Sequence, residues 1–172
     1  AELIMSTRWI LADKNDGRRT VAIPLPLGAS ARLILPGYGD RAFYSGELRS
    51  DAPTGPRNAQ YLLCTFASSL SWHLCSADVR SAFLKGDPYV SRELYFRAPR
   101  YGPRLPLHPE QLCKVLKGVF GLSDAPRVWY LRLDRCLQEH NWQRCFLDQA
   151  CWVLFLDGEL RGMIVGHIDD LL

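Results

Sequence analysis

The sequence predicts an α+β domain in which an antiparallel sheet carries helices packed on one face. Two helical patterns are too few to alternate with every strand-like run, which argues against a doubly wound parallel sheet. Several of those runs end in reverse-turn signals, as hairpin-connected strands do. With 172 residues, 48% of them apolar and 23% charged, and no repeat, low-complexity tract or linker, residues 1–172 read as one domain with a real core.

The first candidate strand, Ser6 to Ala12, runs into the turn signal Asn15-Asp16-Gly17, and apolar stretches follow at Val21 to Leu27 and Ala31 to Leu35. Together they read as a small meander. Pro24, Pro26 and Pro36 keep its strands short or at an edge, because proline cannot donate to a ladder. Ser50 to Thr54 is loop, and Ala59 to Trp72 places Leu62, Leu63, Phe66 and Leu70 at helical spacing. A short strand is expected at Leu74 to Val79, a turn of helix at Ser81 to Lys85, and another strand at Glu93 to Arg97. The Pro-rich stretch Arg100 to Pro109 reads as surface loop. Leu112 to Val119 reads as a strand broken at Gly121. Ala125 to His140 then brings Trp129, Leu133, Cys136 and Leu137 to one helical face, where Trp129 is assigned to core packing. A final hairpin pairs Cys151 to Leu156 with Leu160 to Ile168 across Asp157-Gly158.

Composition narrows the function classes. The apolar run Cys151 to Leu156 is far shorter than the ~20 residues that cross a bilayer, so no membrane partner is expected. No basic-then-apolar leader is present, which points to an intracellular location, cytoplasmic or nuclear. A net charge of +3 is too small to make an electrostatic nucleic-acid binder on its own. Arginine nevertheless supplies 17 of the 21 positive charges, and its planar fork holds phosphate oxygens in pairs. The six cysteines form no C-x-x-C and read as free buried thiols. Cys136, His140, Cys145 and Cys151 have spacings that fit no usual zinc pattern.

Carboxylates stand at two expected strand ends, Asp78 at one and Asp169-Asp170 at the other. Three acids converging at a sheet edge can hold two Mg²⁺ ions, and ions ~3.5–4 Å apart stabilise both the attacking and the leaving oxygen of an in-line phosphoryl transfer. Spacing alone leaves helix capping or a solvated turn open. The apolar frame Met163-Ile164-Val165 and Leu171-Leu172 makes two adjacent like charges costly without a cation or water.

These residues resemble a known family. Asp78-Val79-Arg80-Ser81-Ala82-Phe83-Leu84-Lys85-Gly86 is similar to the first catalytic motif of the reverse transcriptase in copia-type retrotransposon Pol polyproteins. The run from Leu116 to Tyr130, through Gly121-Leu122-Ser123-Asp124-Ala125-Pro126, resembles that family's next signature, and His167-Ile168-Asp169-Asp170-Leu171-Leu172 its terminal acidic motif. Arg8-Trp9, Asp16-Gly17, Ala31-Arg32-Leu33 and Gly37-Tyr38 resemble its fingers.

The resemblance implies the fingers and palm of a right-hand polymerase, with residues 1–72 mainly fingers, 73–172 mainly palm with interleaved fingers segments, and the thumb missing. It implies Asp78, Asp169 and Asp170 as catalytic and metal-binding residues, with the Val79 backbone also at the metals. Arg32, Val79, Arg80, Phe83, Phe120 and Gly121 would bind the nucleotide: Arg32 clamps phosphates, the amides of Val79 and Arg80 meet the triphosphate, and Phe83 crowds the sugar 2′-hydroxyl. His167 would contact primer or template. The implied cofactor is Mg²⁺, two ions, with Mn²⁺ a possible substitute. The implied partners are an RNA or DNA template with primer, deoxynucleotides, and the remainder of a Pol polyprotein bearing thumb, ribonuclease H and integrase.

Without the resemblance, the residues alone favour Phe83 and Phe120 as core aromatics, Arg32 as a solvated strand residue and Gly121 as a strand terminator. Ser30, Pro36, Asp124 and His167 replace residues common in the family, and the first three subtract positive charge near a polyanionic substrate, which should weaken binding. The expected function is RNA-directed DNA polymerisation. The alternatives are an inactive retrotransposon-derived remnant that at most binds nucleic acid, and a structural module whose arginines make surface ion pairs.

Overall fold

The computed structural model describes residues 3–108 and 110–172. The first two residues of the expected domain, and Pro109 at the end of the expected loop, lie outside them. After β1 (Leu3–Met5), β2 (Arg8–Asp13) pairs antiparallel with β3 (Ala29–Ile34), Arg8 opposite Ile34 and Asp13 opposite Ala29. Asp13 ties the ends of their connection together. Its carboxylate accepts the amides of Asn15 at 3.0 Å and Gly28 at 2.8 Å and pairs with Arg19 at 2.7 Å. The strand expected at Val21 to Leu27 does not form, because Pro24 and Pro26 remove the donors a ladder needs. Beyond β3, the Leu35 and Gly37 amides donate to the carbonyls of Phe120 and Gly121 at 2.9 and 2.8 Å. Gly121 has φ +94°, and a Cβ there would meet the Leu35 carbonyl oxygen at 2.6 Å, so no other residue fits this crossing.

A 3₁₀ turn at Gly37–Gly39 and α1 (Arg41–Tyr44) lead to α2 (Arg57–Ser69). The chain continues through β4 (Ala77–Asp78), α3 (Ala82–Lys85), β5 (Leu94–Arg97), β6 (Leu112–Lys114), α4 (Ala125–Glu139), β7 (Gln143–Arg144), β8 (Cys151–Leu156), β9 (Glu159–His167) and β10 (Asp170–Leu171). The central sheet has the order β4-β10-β9-β8-β7 and is antiparallel throughout. A second sheet, β1-β5-β6, pairs β1 parallel to β5 and is not antiparallel as expected. The strands expected at Leu74 to Val79 and Leu112 to Val119 shrink to two and three residues. Their partners set the limit: β4 pairs with the two residues of β10, and β6 with the four-residue β5.

Side chains alternate across a strand, so neighbours on β8 face opposite ways. Cys151 and Val165 form a core with Ala59 and Leu63 of α2. Trp152 instead meets α4, its indole donating to Asp134 at 2.9 Å beside the ring of Tyr130. The two long helices therefore cover opposite faces of the central sheet, which corrects the one-face expectation. The buried stripe of α2 is also displaced from the expected one. It runs through Ala59, Leu63 and Ala67, whose small side chains let the helix lie close, while Leu62 and Leu70 are exposed.

A second core joins Met5, Leu35, Leu94, Val115, Leu122 and Ala125, binding β1, β5 and the start of α4 beneath β3. Beside it Arg92 pairs with both Asp40 and Asp124, carboxylates that are 0% and 3% exposed, and the Tyr89 hydroxyl donates to Asp124 at 2.9 Å. Burial and the Asp124 charge push the Tyr89 hydroxyl far above its ordinary range. Asp124 thus belongs to an internal ion cluster and not to a substrate surface. The six cysteines are free, but Cys64 and Cys75 are exposed; Cys151 is buried, and its thiol is pushed up to about 12 by burial and then by the Asp148 charge.

Candidate active site

The acids meet at the edge of the central sheet. In the pairing of β10 with β4, Asp170 stands directly opposite Asp78, and one position further the Val79 amide donates to the Asp169 carbonyl at 2.9 Å. Directly opposed side chains have Cβ atoms about 4.5–5.5 Å apart, a spacing at which like charges destabilise a strand pair unless something positive lies between them. Among the described residues no protein group donates a hydrogen bond or forms an ion pair to the carboxylates of Asp78, Asp169 or Asp170. Asp78 and Asp170 are exposed and Asp169 is half-buried, so solvent, and not the apolar frame expected for the pair, surrounds most of this charge.

A cavity of about 570 Å³ opens between this edge and β3. It is lined by Asp78 and Asp169, by Arg80 and Ser81 after β4, by Arg32 and Ser30 of β3, by Lys14, and by Phe120. On the other side of Asp78, a hollow of about 310 Å³ is lined by Asp170, His167, Leu171 and Gln60. Asp78 lines both spaces, and the two neighbouring acids divide between them. The Arg32 guanidinium lies 5.4 Å over the Phe120 ring, and Phe120 meets Phe83 edge-on at 5.4 Å between centroids.

Of the residues singled out in the sequence, Asp78, Asp169, Arg32, Arg80 and Phe120 line one cavity. Val79, Phe83 and Gly121 do not line it. The Val79 amide is engaged by Asp169, Phe83 packs half-buried behind Phe120 against the core, and Gly121 serves the crossing with Leu35. His167 lies in the neighbouring hollow. Lys14 was missed. It is one of only four lysines and follows the last residue of β2, across the hairpin from β3, so strand pairing was the signal that could have found it.

Two non-glycine residues flanking the acids have left-handed backbone, Ser81 at φ +55° and Ile168 at φ +60°. For a β-branched residue this is a strained conformation of the kind that gathers at functional sites. The Trp129 indole N–H donates to the Ile168 carbonyl at 2.8 Å.

The residues able to hold a divalent cation are Asp78 and Asp169 in the larger cavity, with Asp170 opposite Asp78. Among the described residues no three carboxylate, thiol or imidazole groups stand close enough to cage an ion unaided. The donor set offers only oxygen, which suits Mg²⁺, an ion that ordinarily takes one or two carboxylates and completes its shell with water and substrate phosphates. Two acids and three cations, Lys14, Arg32 and Arg80, thus line one cavity.

A family model described as reverse transcriptase (RNA-dependent DNA polymerase) matches residues 3–172. The chain belongs to that family. It is similar to the retrovirus-related Pol polyproteins of three plant transposons: TNT 1-94 of Nicotiana tabacum, 23% identical over 168 residues, and RE2 and RE1 of Arabidopsis thaliana, 28% identical over 171 and 27% over 169. Each match covers 98% of this chain but 12%, 11% and 11% of the respective relatives, so the chain spans about a ninth of their length. No solved structure matches it significantly. The resemblance to copia-type reverse transcriptases read from the motifs is thereby established, and among the described residues no helix is long and apolar enough to cross a membrane.

Proposed function

We propose that this chain is the fingers and palm of an RNA-directed DNA polymerase and that the cavity at Asp78 and Asp169 is its nucleotide site. One observation carries the reading: two acids far apart in sequence line a single cavity together with Lys14, Arg32 and Arg80. In the reaction, a primer 3′-hydroxyl forms a bond to the α-phosphorus of a deoxynucleotide while the bond to the bridging oxygen breaks and pyrophosphate departs. Mg²⁺, two ions in this chemistry, supplies charge neutralisation of the phosphates and acidifies the attacking hydroxyl; Mn²⁺ is the substitute to test.

The chain's own residues then have separable tasks. Asp78 and Asp169 supply the negative charge that holds the cations, and Asp170 raises that charge from across the strand pair. Arg32, stacked on Phe120 and so limited in its rotamers, presents its fork to phosphate oxygens, while Arg80 and Lys14 add positive charge around the same cavity. Phe83 acts through Phe120, whose ring it backs, and limits the room beside the sugar. His167 stacks on primer or template in the adjacent hollow. The partners are a primed RNA or DNA template, deoxynucleotides and the remaining segments of a Pol polyprotein.

Primer extension by the Pol polypeptide that contains this chain tests the reading. Asp78→Asn and Asp169→Asn should each lower extension more than about a hundredfold, since even outer partners of metal ligands are worth 10–100-fold. Equal activity in intact protein and Asp78→Asn overturns it. The absence of a ready three-acid cage among the described residues favours a second reading, an inactive remnant. Mn²⁺ titration separates the two: perturbation around Asp78 and Asp169 supports the polymerase, and silence there supports the remnant.

A further inference from the structure

We infer that Trp129 is a positioning residue, holding the acidic hairpin in its strained form through one indole hydrogen bond; the inference rests on the proposed role of Asp78 and Asp169. Ile168 has φ +60° in the turn between β9 and β10, where ladder pairing stops at His167 opposite Asp170. The residue is 38% exposed, so burial alone does not account for that conformation. A β-branched residue stays in this region only where its surroundings over-determine it.

Two contacts do so. The Ile168 carbonyl accepts the Trp129 indole N–H at 2.8 Å, and the Asp169 carbonyl accepts the Val79 amide at 2.9 Å. Successive carbonyls of the turn are therefore held from two sides, one by α4 and one by the strand that carries Asp78. The Ile168 carbonyl lies in the peptide plane that leads into Asp169, so a bond to it fixes the rotation from which the Asp169 side chain departs.

Trp129 is itself buried in the fold. It is 6% exposed, and the next residue on α4, Tyr130, donates its hydroxyl to the Gln149 carbonyl at 2.8 Å. Indole nitrogen is a donor only, and once buried it needs an acceptor. Core packing alone asks for the ring of Trp129 but not for its N–H.

The test is a double-mutant cycle on this chain with Trp129→Phe and Ile168→Gly, read by amide exchange at Asp169, Asp170 and Leu171 and by Mn²⁺ affinity from electron paramagnetic resonance. Trp129→Phe should speed exchange at these amides, and weaken Mn²⁺ binding, roughly five- to tenfold, the size of one lost hydrogen bond. In the Ile168→Gly background, where left-handed backbone carries no strain, the same substitution should change exchange by less than about twofold. Equal effects in the two backgrounds would mean packing alone and would overturn the inference.

Should Trp129→Phe fail to fold, site-specific benzothienylalanine at position 129 keeps the ring shape and replaces N–H with sulfur. Faster exchange of the hairpin amides supports the tether, and unchanged exchange rejects it. If Asp78→Asn and Asp169→Asn leave Mn²⁺ affinity unchanged, the polymerase reading fails by itself, and amide exchange still decides the tether.

Discussion

Among the described residues Arg92 is the single cation paired with two carboxylates almost wholly removed from water. Taking it away leaves uncompensated buried charge, so Arg92→Ala is expected to cost about 3–5 kcal/mol of stability, measured from the midpoint of urea unfolding. Arg92→Lys should recover only part of that loss, because a point charge cannot serve two carboxylates as a planar fork does. An unchanged midpoint in Arg92→Ala would show that the cluster contributes nothing. None of this was legible in the sequence: acids are rarely buried unless paired, and the partner lies 32 and 52 positions from Asp124 and Asp40. The acids of the candidate site were easier to find, because their strand-end placement needed only local patterns. Their division between two cavities was invisible without the register of β10 on β4.

Among the elements, the β2–β3 hairpin depends most on one side chain. The Asp13 carboxyl is held below its ordinary value, first by the Asn15 amide and then by the Gly28 amide and Arg19. A depressed folded value means that the contribution is intact above the unfolded carboxylate range near ~4 and is lost as pH falls through the folded value. The connection from 14 to 28 should therefore stay closed at about pH 5 and loosen below about pH 4, seen as falling amide protection at Asn15 and Gly28. Asp13→Asn should abolish that dependence, and protection that is flat through this range would refute it. The long elements α4, β8 and β9 were readable because their periodicity persists over many residues. Strands of two or three residues, such as β1, β7 and β10, carry no period, and the stripe of α2 was misjudged because Ala59 and Ala67 bury less surface than the leucines beside them.

Across the whole molecule, stability should be uneven. The central sheet is covered by a helix on each face, whereas β2–β3 is a two-stranded ribbon with Ile10 and Leu11 exposed. Amides of β8 and β9 should exchange at least about a hundredfold more slowly than those of β2 and β3, since isolated two-stranded ribbons are marginal in water. Comparable rates would mean that the hairpin and the sheet open together. The covering of both faces was not legible, because the sequence marks a strand as apolar without saying which helix meets which side. The uninterrupted apolar run that opens with Cys151 and Trp152 carried a hint of it.

The strands that bound the central sheet, β4 and β7, are each two residues long. So brief a margin offers few unsatisfied backbone groups to a stray chain, and the placement of Asp78 on one of these margins adds charge that repels edgewise association. The same economy that leaves the Asp78 carboxylate open to solvent also guards the protein against self-templated stacking into fibrils.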